Sequence, residues 1–237
     1  MSDKGLAIIT GASQGIGACI AKGLATDGYQ TVLIARNQNR LQSIANEIKS
    51  LKNTSEPICI SVDITNHREL KQDLKEKTNE KNISVLVNCA GLWLDGSLEE
   101  SEENVLKIFD VNVISPYLIL QEVVKKMKKQ RDGYIFNISS RAGRYGFSNG
   151  GLYSASKFAL VGLSESLYRE LASFNIKVTA ICPGWVKTEM AKDARTPLKD
   201  DEMIQPEDIL NSIRYLLGLS KSACINELLL ECTKSML

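Results

Sequence analysis

Short apolar runs alternate with segments of helical periodicity along almost the whole chain. The apolar runs are rich in β-branched residues and are bounded by polar or glycine-containing turns, a pattern typical of strands that are buried on both faces. The predicted strands are Leu6–Thr10, Thr31–Ala35, Ile58–Val62, Val85–Cys89, Tyr134–Ile138, Lys177–Cys182 and Leu228–Glu231. The predicted helices span residues 15–27, 38–52, 67–80, 101–130, 153–173 and 206–219.

This alternation predicts an α/β fold, a doubly wound (Rossmann-type) sheet of about seven parallel strands with helices on both faces. No low-complexity linker or internal repeat divides the chain, so residues 1–237 are predicted to form a single domain. The segment 188–206 is polar, lacks clear periodicity and carries Pro197 and Pro206. Its length and composition favour a substrate lid over a simple connection.

Composition and charge narrow the classes of partner. With 43% hydrophobic residues, 24% charged residues and a net charge of +1, the chain offers no electrostatic footprint for nucleic acid or an anionic membrane. No apolar run approaches a membrane span, and the first strand begins too close to Met1 for a signal peptide, so we predict a cytoplasmic protein. The six cysteines are scattered without a metal-binding spacing, so we predict reduced thiols and no metal site. His67 is predicted to start a helix rather than to act in catalysis.

A glycine-rich turn follows the first predicted strand, with the sequence Thr10-Gly11-Ala12-Ser13-Gln14-Gly15-Ile16-Gly17. Glycines permit a tight turn and close backbone approach, and the helix that follows presents free N–H groups to an anion. The spacing is T-G-x-x-x-G-x-G, which differs from the common G-x-G-x-x-G fingerprint of dinucleotide-binding folds.

A second candidate site lies where a buried strand gives way to a helix. Tyr153 and Lys157 are four residues apart, so both side chains emerge on one face of the predicted helix. An ammonium close to a phenol stabilises the phenolate and is expected to lower the pKa of Tyr153 from about 10 toward neutrality. The alternative is an ordinary exposed helical pair. Ser140, at the end of the preceding strand, favours the catalytic interpretation because its hydroxyl can bind the same substrate oxygen.

Pro116 interrupts the long predicted helix 101–130. Proline lacks the N–H that would bond to the carbonyl of Asn112, so this carbonyl needs another partner, and an ordered water is the natural one.

Five motifs occur in order: the glycine turn, Asn88-x-Ala90-Gly91, the serine, Tyr-x-x-x-Lys, and Pro183-Gly184. Together they give the chain a resemblance, over almost its whole length, to the short-chain dehydrogenase/reductase family in its single-domain form. The resemblance implies an oxidoreductase that uses a nicotinamide cofactor, and it selects Ser140 over Ser139, since the family serine lies thirteen residues before the tyrosine. The implied catalytic residues are Asn112, Ser140, Tyr153 and Lys157, with Asn112 holding a proton-relay water through its main chain. Cys89 departs from the usual N-N-A-G motif.

The cofactor-binding residues implied by the resemblance lie around the same motifs. They are Gly11, Ser13, Gln14, Gly15, Ile16, Gly17, Arg36, Asp63, Ile64, Asn88, Ala90, Gly91, Tyr153, Lys157, Pro183, Gly184, Val186 and Thr188. For Asp63 and Thr188 the structural alternative is a helix cap, because each is also suited to cap the helix that follows.

Arg36 decides the predicted cofactor. It stands nineteen residues after Gly17, where an NAD enzyme usually places an acidic residue for the ribose diol. A guanidinium cannot accept hydrogen bonds from a diol, but its fork matches a 2′-phosphate, so we predict NADP(H). The alternative is a solvated arginine at a helix start, and Arg40 is either a second phosphate contact or a surface residue.

The predicted function is hydride transfer from NADPH to a ketone, aldehyde or 3-oxo group, with a general carbonyl reductase favoured. The alternatives are a 3-oxoacyl-[acyl-carrier-protein] reductase and, in another class, an NADP(H)-binding sensor with little turnover. The partners are then a small-molecule or acyl-carrier substrate and, by resemblance, further copies of the chain in a homodimer or homotetramer paired through helices 101–130 and 153–173. Candidate substrate-pocket residues are Leu92, Trp93, Leu94, Arg141, Arg144, Tyr145, Phe147, Leu152, Trp185 and the segment Met190–Met203, in which Arg141 and Arg144 are candidates for binding an anionic group.

Overall fold

The computed structural model describes residues 4–79 and 81–236 and contains a seven-stranded parallel sheet. The strands are β1 (Leu6–Thr10), β2 (Gln30–Ala35), β3 (Ile58–Ser61), β4 (Ile83–Asn88), β5 (Gly133–Ile138), β6 (Ile176–Pro183) and β7 (Glu227–Leu230), in the order β3-β2-β1-β4-β5-β6-β7. The chain moves outward from β1 to β3 and then returns to place β4 on the other side of β1. The carboxyl ends of β1 and β4 therefore flank a topological switch point, where open α/β sheets bind ligands.

Helices cover both faces of the sheet. They are α1 (Gly15–Thr26), α2 (Gln38–Ser50), α3 (His67–Lys77), α4 (Glu102–Phe109), α5 (Ser115–Gln130), α6 (Gly151–Leu171), α7 (Glu189–Asp193) and α8 (Pro206–Leu217). Ala7 and Ile9 of β1 belong to a core with α1, α2 and α8, whereas Leu6 and Ile8 belong to a core with α3, α5 and α6. Alternate residues of a strand point to opposite faces, so a strand covered on both sides is a continuous apolar run. The predicted doubly wound fold is confirmed.

The helix predicted over residues 101–130 consists of α4 and α5 joined by one π-helical turn, Asp110–Ile114. At this turn the Ser115 N–H donates to the Asp110 carbonyl, one residue further back than in an α-helix. Pro116 follows directly and has no N–H to offer the Asn112 carbonyl. The widened turn places Asn112 in the interior with no exposed surface. Residue 80, the end of another predicted helix, lies outside the described residues.

The segment 188–206 contains the short helix α7 and is tied down at its far end. Val186 and Ile204 form an isolated parallel bridge, in which the Lys187 N–H donates to the Ile204 carbonyl at 2.9 Å and the Ile204 N–H donates to the Trp185 carbonyl at 3.0 Å. Met203 and Ile204 are buried. The substrate lid expected over residues 188–206 stays a prediction.

Candidate active site

The predicted site residues come together in one cleft of about 600 Å³ at the carboxyl ends of the central strands. The predicted residues that line it are Gly11, Ser13, Gln14, Gly15, Ile16, Gly17, Arg36, Asp63, Ile64, Ala90, Gly91, Ser140, Tyr153, Lys157, Pro183, Gly184, Val186 and Thr188. The cleft spans the switch point between β1 and β4, because the turns after both strands contribute to it. Of the predicted catalytic and cofactor-binding residues, Asn88 and Asn112 do not line it. Of the candidate substrate-pocket residues, four do not line it either: Leu94, Arg144, Tyr145 and Leu152.

The glycine turn forms a tight backbone cradle at the end of β1. A Cβ on Gly17 would lie 2.3 Å from the Gly11 carbonyl oxygen, so no side chain fits there. Gly11 has φ +67°, and its Cβ would lie 3.0 Å from the Ala90 backbone. Thr10 fastens the cradle to β4, since its hydroxyl accepts hydrogen bonds from the N–H groups of Cys89 and Ala90, both at 3.0 Å.

The amino-terminal end of α1 opens into this cradle. Gln14 occupies the N-cap position but makes no side-chain cap to the helix, so it leaves the first-turn N–H groups to another acceptor. The Gln14 amide oxygen instead accepts a hydrogen bond from the Arg40 guanidinium. Arg36 also faces the cleft, with its side chain 73% exposed and one guanidinium nitrogen 3.6 Å from an Asp63 carboxylate oxygen. This end of the cleft therefore combines a helix amino terminus with two guanidinium groups, a suitable environment for phosphate.

The helix-capping alternative is wrong for Asp63 and confirmed for Thr188. The Asp63 carboxylate accepts from the N–H and hydroxyl of Thr65, at 3.0 and 2.8 Å, and the cap of α3 is Asn66, so a capping role for Asp63 is wrong. Partial burial acts to raise the pKa of Asp63, but the Thr65 hydrogen bonds and Arg36 lower it overall. Thr188 does cap α7, accepting from the Ala191 N–H at 3.3 Å, and it also lines the cleft.

Tyr153, Lys157 and Ser140 meet at the opposite end of the cleft. The Lys157 ammonium lies 5.6 Å from the centre of the Tyr153 ring and donates to the Ile138 carbonyl at 3.1 Å. Burial raises the pKa of Tyr153 to about 12, opposed by a hydrogen bond with Ser140, and burial lowers the pKa of Lys157 to about 8. The expected shift of the Tyr153 pKa toward neutrality is therefore absent from this structure, because desolvation of the phenol dominates and the ammonium is directed at a carbonyl.

Asn112 and Asn88 support the site from below. The Asn112 amide oxygen accepts from the Leu92 N–H at 2.7 Å, and its amide nitrogen donates to the Leu92 carbonyl and the Ser156 hydroxyl, both at 2.9 Å. It thereby joins the π-helical turn, the loop after β4 and α6. The Asn88 side chain donates to Asn137 at 2.8 Å within the sheet, so its placement does not support the predicted cofactor contact of that side chain.

A model of the short chain dehydrogenase family matches residues 5–199. The chain belongs to this family.

Individual relatives agree with the family assignment. An uncharacterized oxidoreductase of Staphylococcus saprophyticus is 36% identical over 230 residues, which cover 96% of both proteins. The solved structure of a β-ketoacyl-[ACP] reductase from Bacteroides thetaiotaomicron is 51% identical, with a TM-score of 0.89 and 99% of each chain covered. A metagenomic short-chain oxidoreductase solved with NADP is 30% identical, with a TM-score of 0.84 and 98% of each chain covered. The protein is thus an oxidoreductase of the short-chain dehydrogenase family.

Two arginines of this short-chain dehydrogenase are less available to a ligand than the sequence suggested. Arg144 makes a two-pronged ion pair with Glu227, and Arg141 lies 3.3 Å from a Glu231 carboxylate oxygen. Conversely, sequence reasoning missed Lys107 and Val111 of the α4 region, which line the cleft. Their four-residue spacing, ending next to Asn112, was the available indication.

The burial of Lys157 predicts how the free energy of unfolding depends on pH. Its folded pKa of about 8 lies below the ordinary 10.5, so between these pH values the unfolded chain keeps a proton that the folded protein has released, and stability rises with pH. Below about pH 8 both states are charged, and the folded protein bears a cost of about 3 kcal/mol. We expect Lys157→Met to be more stable than the wild type at neutral pH, by up to that amount, and the difference to shrink toward pH 10.

Urea unfolding at neutral and alkaline pH measures this difference. Lys52→Met removes an exposed lysine and is the matched control, expected to leave the free energy of unfolding within about 0.5 kcal/mol at every pH. A Lys157→Met protein no more stable than the wild type at neutral pH would show that the buried ammonium is fully compensated.

None of the helices in the described part of the chain has the length and apolar character of a membrane span.

Proposed function

We propose that this short-chain dehydrogenase reduces a carbonyl compound to an alcohol with NADPH as the hydride donor. The observation that carries the proposal is the convergence of Ser140, Tyr153 and Lys157 in the cleft that also holds the glycine cradle and Arg36. Acid–base groups at one end and a phosphate-binding environment at the other suit a nicotinamide dinucleotide lying between them.

The residues of the cleft fit such a cofactor. The Gly11–Gly17 turn is packed too tightly for a side chain at Gly17, and its backbone lines the cleft beside the first-turn N–H groups of α1, a site suited to an anion. The guanidinium groups of Arg36 and Arg40 line the cleft after β2. This is the position at which they would bind the 2′-phosphate of NADPH. When bound, the cofactor supplies the hydride that adds to the carbonyl carbon.

Ser140 and Tyr153 then stabilise and protonate the carbonyl oxygen of the substrate. The Ser140 hydroxyl donates a hydrogen bond to the substrate oxygen as negative charge develops on it. The Tyr153 phenol gives that oxygen its proton, so the carbonyl group becomes a C–O single bond with one new C–H bond and one new O–H bond. A phenol with a pKa raised to about 12 is protonated at neutral pH, the state that a proton donor needs for reduction. Lys157 supplies positive charge beneath the phenol.

A 3-oxoacyl thioester is the second candidate substrate. The 51% identity to a structure described as a β-ketoacyl-[ACP] reductase favours it. An NADP(H) sensor is less well supported, because a sensor has no need of a buried phenol at the cleft. We also propose self-association through α4, α5 and α6, where Leu106, Tyr117 and Phe158 are 63%, 46% and 43% exposed.

Arg36 tests the choice of cofactor. We expect Arg36→Ala to raise the KM for NADPH by about 10- to 100-fold, since a charge-assisted hydrogen bond contributes about 1.5–3 kcal/mol. The KM for NADH is expected to stay within about twofold, because NADH has no phosphate at this position. Steady-state rates with each cofactor and one carbonyl substrate give both constants.

Arg68→Ala is the matched control, because Arg68 lies on the exposed surface of α3 and does not line the cleft. It is expected to change neither KM. A wild-type enzyme that uses NADH more efficiently than NADPH, or an Arg36→Ala enzyme that keeps its NADPH KM, would contradict the assignment of Arg36 to the 2′-phosphate.

A further inference from the structure

Two aromatic side chains stand beside the proposed proton donor. The rings of Trp93 and Phe147 are parallel to within 3°, with centroids 5.8 Å apart. The Trp93 ring also meets the Tyr153 ring edge to face, at 4.7 Å and 64°. All three residues line the cleft, and Phe147 is 43% exposed. These contacts form a continuous aromatic wall that runs from the phenol outward to solvent.

Hydrogen bonds join the two loops that carry Trp93 and Phe147. The Gly96 N–H donates to the Asn149 carbonyl at 2.8 Å, and the Gly151 N–H donates to the Ser97 hydroxyl at 2.9 Å. The Phe147 ring is seated on Gly150, where a Cβ would come within 2.3 Å of it. The positions of Trp93 and Phe147 are therefore fixed by two loops that are hydrogen-bonded to each other.

Asn112 fixes the inner end of the wall. Its side chain binds both the N–H and the carbonyl of Leu92, the residue directly before Trp93. Asn112 is buried in the π-helical turn and does not line the cleft, so this role is one of positioning. Asn112 also donates to the Ser156 hydroxyl of α6, the helix that carries Tyr153. The π-helical turn therefore holds the Trp93 indole in place relative to Tyr153.

The guanidinium of Arg141 is already paired and is therefore less available to an anionic substituent. Arg141 lines the cleft, but Glu231 holds its guanidinium at 3.3 Å. An aromatic wall offers dispersion contacts and stacking to a flat apolar group.

From this geometry we infer that Trp93 and Phe147 form a subsite for a flat apolar group, such as an aryl ring, attached to the reacting carbonyl. Trp93 is the specificity-determining residue, because its ring contacts the rings of both Phe147 and Tyr153. A ring laid along the wall brings its carbonyl to the phenol, while a methyl group in its place leaves most of the wall uncovered. This inference rests on the proposed carbonyl reduction and narrows its substrate class.

Ethyl benzoylacetate and ethyl acetoacetate test the subsite, because they differ only in the phenyl or methyl group on the reacting carbonyl. The measured quantity is the ratio of kcat/KM for the phenyl substrate to that for the methyl substrate, with NADPH. Intrinsic reactivity cancels when this ratio is compared between variants. We expect the ratio to fall about tenfold in Trp93→Ala and about threefold in Phe147→Ala, the range that aromatic contacts supply. The dissociation constant for NADPH is expected to stay unchanged in both variants.

Tyr145→Ala is the matched control, since Tyr145 is a 59% exposed aromatic in the same loop that does not line the cleft. It is expected to leave the ratio unchanged. A ratio that is unchanged in Trp93→Ala and Phe147→Ala, or that falls equally in Tyr145→Ala, overturns the subsite. Phe147→Ala keeps the test decisive if Trp93→Ala does not fold. A wild-type protein that oxidises NADPH with neither these esters, nor a 3-oxoacyl thioester, nor an aldehyde overturns the proposed function itself, whereas turnover with an unaltered ratio overturns only the subsite.

Discussion

Replacing Tyr153 by phenylalanine is expected to lower kcat for carbonyl reduction by about 100- to 10,000-fold, the usual contribution of general acid–base catalysis. The substitution removes one oxygen and keeps the ring that packs at 4.7 Å against Trp93. The fold and the dissociation constant for NADPH should therefore persist while turnover is lost. Single-turnover rates measured with saturating NADPH separate the chemical step from binding.

Tyr145→Phe is the control for this experiment. Tyr145 also loses only a hydroxyl, but it is exposed and lies outside the cleft, so its kcat should match that of the wild type. Retention of wild-type kcat by Tyr153→Phe would mean that another group protonates the substrate oxygen, and the assignment of the acid would be wrong.

Gly17→Ala is expected to destabilise the fold by about 1–3 kcal/mol, as overpacking of a well-packed site typically does, and to abolish NADPH binding. The new methyl group would lie 2.3 Å from the Gly11 carbonyl oxygen, and neither backbone segment can yield without opening the turn. Gly11 in turn approaches the Ala90 backbone, so the displacement would reach the end of β4. Urea unfolding and a fluorescence titration with NADPH measure the two effects.

Gly146→Ala is the matched control. Gly146 lies in the exposed loop before α6, where an added Cβ meets nothing within 4 Å and the backbone φ is not positive. This variant should keep its free energy of unfolding within about 0.5 kcal/mol of the wild-type value and bind NADPH normally. Normal stability and NADPH binding in Gly17→Ala would show that the cradle tolerates a side chain.

The fold was predictable because the strands are buried on both faces. β1 has the predicted bounds Leu6–Thr10, and the other strands differ from their predictions by a residue or two at their ends. Parallel strands also bring their carboxyl ends to one edge of the sheet, so motifs that each follow a strand must meet there. The family resemblance implied that residues as distant as Gly11 and Thr188 share one site, and this arrangement of the strands brings both to one cleft.

The features that sequence reasoning missed depend on packing between distant segments. The π-helical turn requires the Ser115 N–H to bond one residue further back, and the Pro116 pattern indicated a freed carbonyl without specifying that geometry. The partner of Arg144 is Glu227, on a strand 83 positions away, which no local pattern reveals.

The pKa values of Tyr153 and Lys157 could not be read from their spacing either. Four residues on a helix place the two groups on one face, but the direction of each shift depends on how deeply both are buried. Tyr153 and Lys157 are only 8% and 4% exposed, so desolvation sets the direction of both pKa shifts in this structure.

Hydride transfer to a carbonyl carbon is the central claim, and isotope transfer tests it most directly. The protein would be incubated with ethyl benzoylacetate and NADPH carrying deuterium at the transferable position of the dihydronicotinamide ring. Mass spectrometry of the product is expected to find the hydroxy ester with one deuterium on its carbinol carbon, formed by the wild type and far more slowly by Tyr153→Phe. An unlabelled alcohol, or NADPH that binds tightly and yields no alcohol from any carbonyl compound offered, would contradict the proposed function.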